Sequence, residues 1–199
     1  MDIIQPEYCL RSAVEADLES IAKVHLAAYS KSHFTSLLPG NVLISYYGIF
    51  LRGGVEIIVA AKASNPDDII GFAVFGRNIP QLIATFKRRH RPDILRASIA
   101  HPVTSARKVF NLFAKRRSPS ANHLPCDFLL LSIASSLPRA GVGGKLLDTL
   151  SVRASEEREA KVGLYVNADN VSAMNAYVKD GFRFVCLIHD QYYMEKVLS

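Results

Sequence analysis

Arg139-Ala140-Gly141-Val142-Gly143-Gly144-Lys145-Leu146-Leu147 follows the apolar run Phe128-Leu129-Leu130-Leu131-Ser132-Ile133-Ala134 and opens a helical pattern. A strand, a glycine turn and a helix are expected to meet there. Glycines at such a junction let the backbone turn with positive φ and let a ligand approach with no Cβ in the way. The first N–H groups of a helix have no partner inside it, converge on one spot and favour an anion. The stretch therefore predicts a phosphate cradle. Taken alone, Gly141, Gly143 and Gly144 are also compatible with a plain turn and helix entry.

The downstream sequence narrows the choice. After a helix of about five turns and a short strand comes Asn170-Val171-Ser172-Ala173-Met174-Asn175-Ala176-Tyr177-Val178-Lys179-Asp180-Gly181-Phe182, a second helix with its caps. In this order the two blocks resemble the GNAT superfamily of acyl-coenzyme A-dependent N-acyltransferases, and the resemblance covers most of the chain. In that family a strand ends in Gln/Arg-x-x-Gly-x-Gly/Ala, which grips the coenzyme A pyrophosphate, and an Asn-x-x-Ala-x-x-x-Tyr-x-x-x-Gly-Phe helix follows. Asn170, Ala173, Tyr177, Gly181 and Phe182 match the second motif position by position. In the first, with Gly141 and Gly143 as the paired glycines, Pro138 takes the Gln/Arg position and the arginine is displaced to Arg139. Which side chain touches the pyrophosphate is thereby left open, whereas the backbone cradle is not affected.

The resemblance implies an α+β fold with a GNAT-like mixed central β-sheet flanked by helices, and acetyl-CoA as cosubstrate. It implies that Ile133, Ala134 and Ser135 offer backbone groups to the pantetheine arm. Arg139, Ala140, Gly141, Val142, Gly143 and Gly144 would surround the pyrophosphate, with Asn170 and Tyr177 along the coenzyme arm. Tyr177 matches the family tyrosine near the thioester sulfur, whose phenol can donate to the departing thiolate as general acid. From spacing alone, Tyr177 reads first as a core aromatic, and it is the motif that reverses that reading; Asn170 could by itself be only an N-cap.

The general base is less well marked. Aligning through Leu131-Ser132-Ile133-Ala134 places Leu129 where many members carry a glutamate, and a leucine accepts no proton. Asp127, two residues earlier and on the same face of the expected strand, is the candidate catalytic base, directly or through water. The alternative is a satisfied strand-edge aspartate. His25 shares a helix face with Leu18 and Ile21 and reads as a packed histidine. His33, in Ser32-His33-Phe34-Thr35, falls in a helix-connecting loop that borders the acceptor pocket in this fold, and is the candidate substrate contact.

The length of 199 residues suits one domain over residues 1–199, and the 49% hydrophobic content argues against disorder. Met1-Asp2-Ile3-Ile4-Gln5-Pro6-Glu7 lacks a basic region followed by an apolar core, and no apolar run approaches the ~20 residues that span a bilayer. A cytoplasmic location is therefore expected. Cys9, Cys126 and Cys186 have no metal-site or disulfide-framework spacing and are expected as buried reduced thiols.

The net charge of +6 is unevenly placed. Lys87, Arg88, Arg89, Arg91, Arg96, Arg107, Lys108, Lys115, Arg116 and Arg117 face the single acid Asp93 between Gln81 and His123, so this segment carries +9 and the rest of the chain −3. The field of that segment suits a phosphorylated ligand, an acidic lipid surface or nucleic acid.

Other elements follow from periodicity and turn chemistry. Strands are expected at Tyr8–Arg11, Val55–Ala61, Ile69–Phe75, Phe128–Ala134, Val162–Val166, Phe182–Ile188 and Tyr192–Val197, with Ser64-Asn65-Pro66-Asp67-Asp68 as a hairpin turn. Helices are expected at Glu15–Tyr29, Val42–Leu51, Gly143–Ala160 and Val171–Asp180. Residues 79–122 form a basic insertion between the third and fourth strands, too long for a structureless loop. It should be helical in pieces, because Ile79, Leu82, Ile83 and Phe86, and again Ala106, Val109, Phe110 and Phe113, recur at i, i+3, i+4 and i+7.

These readings converge on transfer of an acetyl group from acetyl-CoA to a primary amine of a small molecule, by direct attack in a ternary complex. The basic insertion favours a phosphorylated or nucleotide-linked acceptor. The alternative is an acyl-CoA-binding regulatory or nucleic-acid-associated protein on the same fold. Against nucleic acid, Phe86, Phe110 and Phe113 lie on apolar faces instead of interleaving with the basic residues. A membrane-surface role for the insertion is the third reading.

Overall fold

Tyr8–Ser12 (β1), Glu56–Lys62 (β2), Asn65–Gly76 (β3), Leu129–Ser135 (β4), Lys161–Asn167 (β5), Arg183–Ile188 (β6) and Gln191–Val197 (β7) form one mixed sheet in the order β1-β2-β3-β4-β5-β7-β6. The computed structural model describes residues 8–29, 33–100, 125–137, 140–188 and 190–198. Each neighbouring pair is antiparallel except β4 and β5, which run parallel. A parallel pair requires a crossover, and Val142–Glu156 (α5) supplies it.

Strand alternation divides the core between two layers. Ile57, Val59, Phe72 and Val74 meet Leu18–Ala28 (α1) and Gly40–Arg52 (α2) on one face. Ile58, Ala60, Ala73 and Phe75 meet Val142, Leu146, Leu147 and Leu150 of α5 on the other. Val171–Lys179 (α6) leans on this second cluster through Ala173, Met174 and Tyr177. The expected α+β sheet flanked by helices is thus present. Among the described residues, no helix is long and apolar enough to cross a membrane.

Four expectations need correction. The first helix begins as a short 3-10 turn at Glu15–Asp17, because the Asp17 carboxylate folds back to accept from the Val14 N–H at 2.8 Å and from Arg11 at 2.7 and 2.8 Å. β3 starts at Asn65, so the polar run is no simple turn. Lys62 pairs with Asn65 and Ala61 with Ile69, so residues 66–68 form a bulge, held by Arg11 on the Pro66 carbonyl and by the Lys62–Asp68 ion pair. The crossover helix stops at Glu156, before Ala160, where Arg158 takes φ 60°. Cys9 is exposed: Tyr8 and Leu10 turn to the α5 cluster, and alternation leaves Cys9 on the other side of the edge strand.

Part of the basic insertion is on view as Ile79–Arg89 (α3) and Arg91–Ala100 (α4), between β3 and β4. Ile79 and Phe86 are buried, and Leu82 and Ile83 pack against the core, as their spacing predicts. Phe86 meets Tyr46 of α2 edge-on, centroids 4.9 Å apart, and His90 Nε2 lies 2.8 Å from Ser45 Oγ. Lys87, Arg88, Arg89, Arg91 and Arg96 remain exposed. Ala106, Val109, Phe110 and Phe113, with the basic residues from Arg107 to Arg117, lie outside the described residues.

Close packing of α5 on the sheet depends on Gly71. A Cβ there would lie 2.8 Å from Val142 Cγ1 and 3.0 Å from the Ala134 carbonyl oxygen. Gly71→Ala is expected to cost about 1–3 kcal/mol of stability, read as a lowered urea midpoint at unchanged m-value.

Candidate active site

β4 changes partners halfway along its length. Its parallel pairing with β5 consists of Leu129 with Gly163 and Leu130 with Leu164, and extends no further among the described residues. On the other side, Val74 pairs with Ser132 and Phe75 with Leu130, so Leu131 is an extra residue on β4. Such a bulge re-aims the strand and ends regular pairing. Beyond it β5 continues with β7 alone, through Tyr165–Tyr193, Val166–Tyr192 and Asn167–Gln191, and a gap opens between β4 and β5.

The ladder decides which backbone groups face that gap. Ser136 N–H donates to the Ile70 carbonyl at 2.9 Å, and Gly71 pairs with Ser135 and Phe72 with Ala134. Bonded and non-bonded pairs alternate in an antiparallel ladder. Ala134 therefore spends its N–H and C=O on Phe72, whereas Ile133 and Ser135 turn theirs toward the gap. Of the three residues expected to meet the pantetheine arm, Ala134 is withdrawn by its own ladder.

At the carboxyl end of β4 the glycine turn delivers the helix entry. Gly141 takes φ 75° as the N-cap of α5, a conformation that glycine adopts without penalty. The first intrahelical bond is Lys145 N–H to the Gly141 carbonyl at 3.1 Å, and no side chain caps the helix. The N–H groups of Val142, Gly143 and Gly144 thus lack intrahelical partners. Val142 is buried, anchoring the turn, while Ala140, Gly141 and Gly144 are exposed. A Cβ at Gly143 or Gly144 would meet nothing within 4 Å, and neither has a positive φ. Packing does not require glycine at these two positions, whereas a ligand pressed against the backbone would. Arg139 and Pro138 lie outside the described residues.

Across the gap, Asn170 caps α6, its Oδ1 accepting from Ala173 N–H at 3.2 Å. Tyr177 is half-buried against Phe182, ring centroids 5.8 Å apart. Its hydroxyl has no hydrogen-bond partner among the described residues. Burial, and secondarily the charge of Tyr29, pushes the phenol pKa well above its ordinary value, so it is protonated at neutral pH and able to donate. Asp127 sits in an exposed bend ahead of Leu129, outside β4, so strand alternation does not aim it at the gap. A depression of about 600 Å³ between the far end of α5 and β7, lined by Ser151, Ser155 and Lys196 among others, is remote from the glycine turn.

On the opposite side of β4 lies a polar cluster that spacing alone did not assemble. Tyr29, just past α1, places its hydroxyl 2.7 Å from Ser132 Oγ and donates to the Ile133 carbonyl at 3.2 Å. Tyr47 Oη lies 3.4 Å from the same Ser132 Oγ and 2.6 Å from His25 Nδ1. His25 Nε2 is 2.9 Å from Thr35 Oγ1, which is 2.8 Å from Nδ1 of His33. The His25 ring stacks on Tyr29 at 4.2 Å, and His33 tilts against Tyr29 at 4.9 Å. His25 is therefore packed, as expected, and also bonded at both nitrogens. Its spacing of four residues from Tyr29 was the one legible hint of this cluster, since Tyr47 and Ser132 reach it only through the tertiary fold.

No protein-family model matches the chain. No curated protein matches it either. Solved structures do. PaiA N-acetyltransferase from Thermoplasma acidophilum, in complex with coenzyme A, aligns with TM-score 0.60 at 14% identity over 96% of this chain and 98% of its own. YncA, a putative acetyltransferase from Salmonella typhimurium with its cofactor acetyl-CoA, aligns with TM-score 0.57 at 14% identity over 97% and 95%. The chain has the GNAT fold. A ribosomal-protein-alanine N-acetyltransferase from Brucella melitensis aligns as well, with TM-score 0.59 at 16% identity over 96% and 99%. The GNAT resemblance of the two sequence blocks and the architecture therefore agree.

Two outcomes follow from the geometry. Gly144→Ala should preserve stability or raise it by up to about 1 kcal/mol while weakening binding of a diphosphate-bearing ligand at the helix entry roughly tenfold, measured by thermal melts and calorimetry on the same sample. His25, whose pKa burial lowers to about 3 with a lesser contribution from His33, is neutral when folded. The unfolded chain then binds the extra proton first on acidification. This stabilisation is complete above the ordinary histidine value of 6.5, and is lost as pH falls toward 3, at about 1.4 kcal/mol per pH unit. Urea midpoints across that range should show the slope, with the His25 ring resonances not titrating before the protein unfolds.

Proposed function

We propose that this protein transfers an acetyl group from acetyl-CoA to a primary amine of a small-molecule acceptor, by direct attack in a ternary complex. The observation that carries the reading is the parting of β4 and β5 beside an uncapped helix entry. Backbone groups of Ile133 and Ser135 without a strand partner line one side of the gap, the Ile133 carbonyl held only by the Tyr29 hydroxyl, and three N–H groups without intrahelical partners stand at its end. Acetyl-CoA would supply a thioester-activated acyl group. The N–H groups of Val142, Gly143 and Gly144 suit its diphosphate, and their open, Cβ-free surroundings at Gly143 and Gly144 support the fit.

The chain's own groups divide the remaining work. Ile133 and Ser135 hold the pantetheine arm as a strand would, through backbone hydrogen bonds, and a β4 N–H facing the gap donates to the developing oxyanion. Tyr177 donates its phenolic proton to the departing thiolate. Asn170 fixes the start of the helix that aims Tyr177. His33 stands on the side of β4 opposite α5, where the acceptor amine would enter.

The exposed row Lys87, Arg88, Arg89, Arg91 and Arg96 favours an acceptor bearing phosphate. The fold alone does not choose between small amines and proteins, and the Brucella relative is named for a protein acceptor. The concentrated basic charge is what supports a compact anionic acceptor here.

Calorimetry with acetyl-CoA, followed by thiol release with amino sugars and their phosphates, tests the reading. Tyr177→Phe is expected to lower kcat about 10²-fold with little change in acetyl-CoA affinity. Wild-type rates would return this tyrosine to a packing role. Charge reversal at Arg88, Arg89 and Arg91 should raise KM for phosphorylated acceptors and leave kcat nearly intact. No heat of binding with millimolar acetyl-CoA would overturn the assignment.

A further inference from the structure

Among the described residues the buried polar side chains are Asp17, His25 and Ser132. Asp17 is explained by its ion pair with Arg11. His25 and Ser132 have no such ion pair, and burying polar groups costs stability unless each finds a partner. Both lie on one continuous path, and that path starts at the β4 carbonyl facing the gap. It runs from Tyr29 to Ser132 (2.7 Å), Tyr47 (3.4 Å), His25 (2.6 Å), Thr35 (2.9 Å) and His33 (2.8 Å).

We propose that this path is a proton wire that removes the proton of the attacking amine and delivers it to His33. The inference rests on the acetyl-transfer reading. It supplies the base that Leu129 leaves missing at the position of the family glutamate and that Asp127, in its exposed bend, does not provide.

The hydrogen bonds can all run one way once the Tyr29 hydroxyl turns its single proton from the Ile133 carbonyl, 3.2 Å away, to the nearer Ser132 Oγ at 2.7 Å. Each hydroxyl on the path both accepts and donates, and neutral His25 accepts at Nδ1 and donates from Nε2. As the amine nitrogen bonds to the acyl carbon, its proton passes to Tyr29 Oη while the Tyr29 proton moves to Ser132 Oγ. The Ser132 proton moves to Tyr47 Oη and the Tyr47 proton to His25 Nδ1. The proton on His25 Nε2 moves to Thr35 Oγ1, and the Thr35 proton moves to His33 Nδ1. Each intermediate group ends neutral with its original number of protons, His25 ends in its other tautomer, and His33 ends as imidazolium. His33 is half-buried and passes the proton to water, after which the hydroxyls and the His25 tautomer reset.

Burial keeps the interior of this path from trapping the proton. His25 is held neutral, and the phenols of Tyr29 and Tyr47 are pushed above their ordinary range chiefly by desolvation. Among the described residues, His33 acts on His25, and Tyr29 and Tyr46 act on Tyr47. The 3.4 Å step from Ser132 to Tyr47 is at the outer limit of a hydrogen bond, so it is the point of greatest sensitivity.

The test compares Thr35→Val, which keeps shape and removes the hydroxyl, with Thr35→Ser, which keeps the hydroxyl. Tyr47→Phe interrupts the wire at a second, independent point. The assay is acetyl-CoA turnover with the best amine of the panel above, across pH and with added imidazole. Thr35→Val and Tyr47→Phe are expected to lose about tenfold or more in kcat, with KM for acetyl-CoA unchanged and the single-proton acid limb of the wild-type profile lost. Imidazole should restore part of the rate in Thr35→Val and leave wild type unaffected, while Thr35→Ser retains near wild-type rate and profile. If wild type turns over and Thr35→Val matches it in rate and pH profile, the wire is overturned while acetyl transfer stands. Equal losses in Thr35→Val and Thr35→Ser would also overturn it, since they would mark a packing effect. Failure of wild type to bind acetyl-CoA would overturn both readings.

Discussion

Every backbone N–H and C=O removed from water must be paired, and β4 is where a strand of this protein gives up its ladder partner on one side. The extra residue at Leu131 shifts the strand by one position, so that it stays in register with β3 and loses β5 after Leu130. The remaining features of the site depend on this local mismatch. The bulge also resets side-chain alternation, turning Ser132 and Ala134 toward α1 and α2 and Ile133 toward α5. One insertion therefore produces a half-paired strand, with a polar residue behind it and an apolar residue in front.

The fold was legible because hydrophobic periodicity is a long-range average. Runs such as Ile57–Ala61 and Ile69–Phe75 contain enough apolar residues to mark strands wherever they finally pair. Glycine chemistry was legible at Gly141, where positive φ leaves few other choices. Hidden from the sequence were features decided by registration between distant segments. That Ala134 spends its backbone on Phe72 while Ile133 does not depends on the bulge, which no local pattern announces. Asn65–Asp68 has the composition of a turn and becomes a strand bulge because Arg11, 55 residues from Pro66, supplies a donor for its carbonyl. Asp127 carries the right chemistry for a base, but Leu129, and not Phe128, is the first residue to pair, and the aspartate is left in a bend.

The polar path through His25 shows the same limit from the other side. His25 sits on an apolar helix face, which is where packed histidines are found, and that reading is correct as far as it goes. Its partners come from α2 and the turn at Phe34–Leu37, and the path reaches β4 through Tyr47, so no window of sequence contains the set. In a core that is mostly apolar, fully partnered polar groups carry more meaning than their number suggests. Each had to be matched in geometry to avoid the cost of desolvation.

The insertion is joined to this arrangement more closely than its charge implies. Phe86 and His90 take hold of Tyr46 and Ser45, and the next residue along the same helix is Tyr47. The basic helices are thus a buttress for the segment that carries the buried phenol. A shortened chain lacking them would strip two neighbours from that segment, and any damage to turnover would reflect a loosened support as much as a lost binding surface.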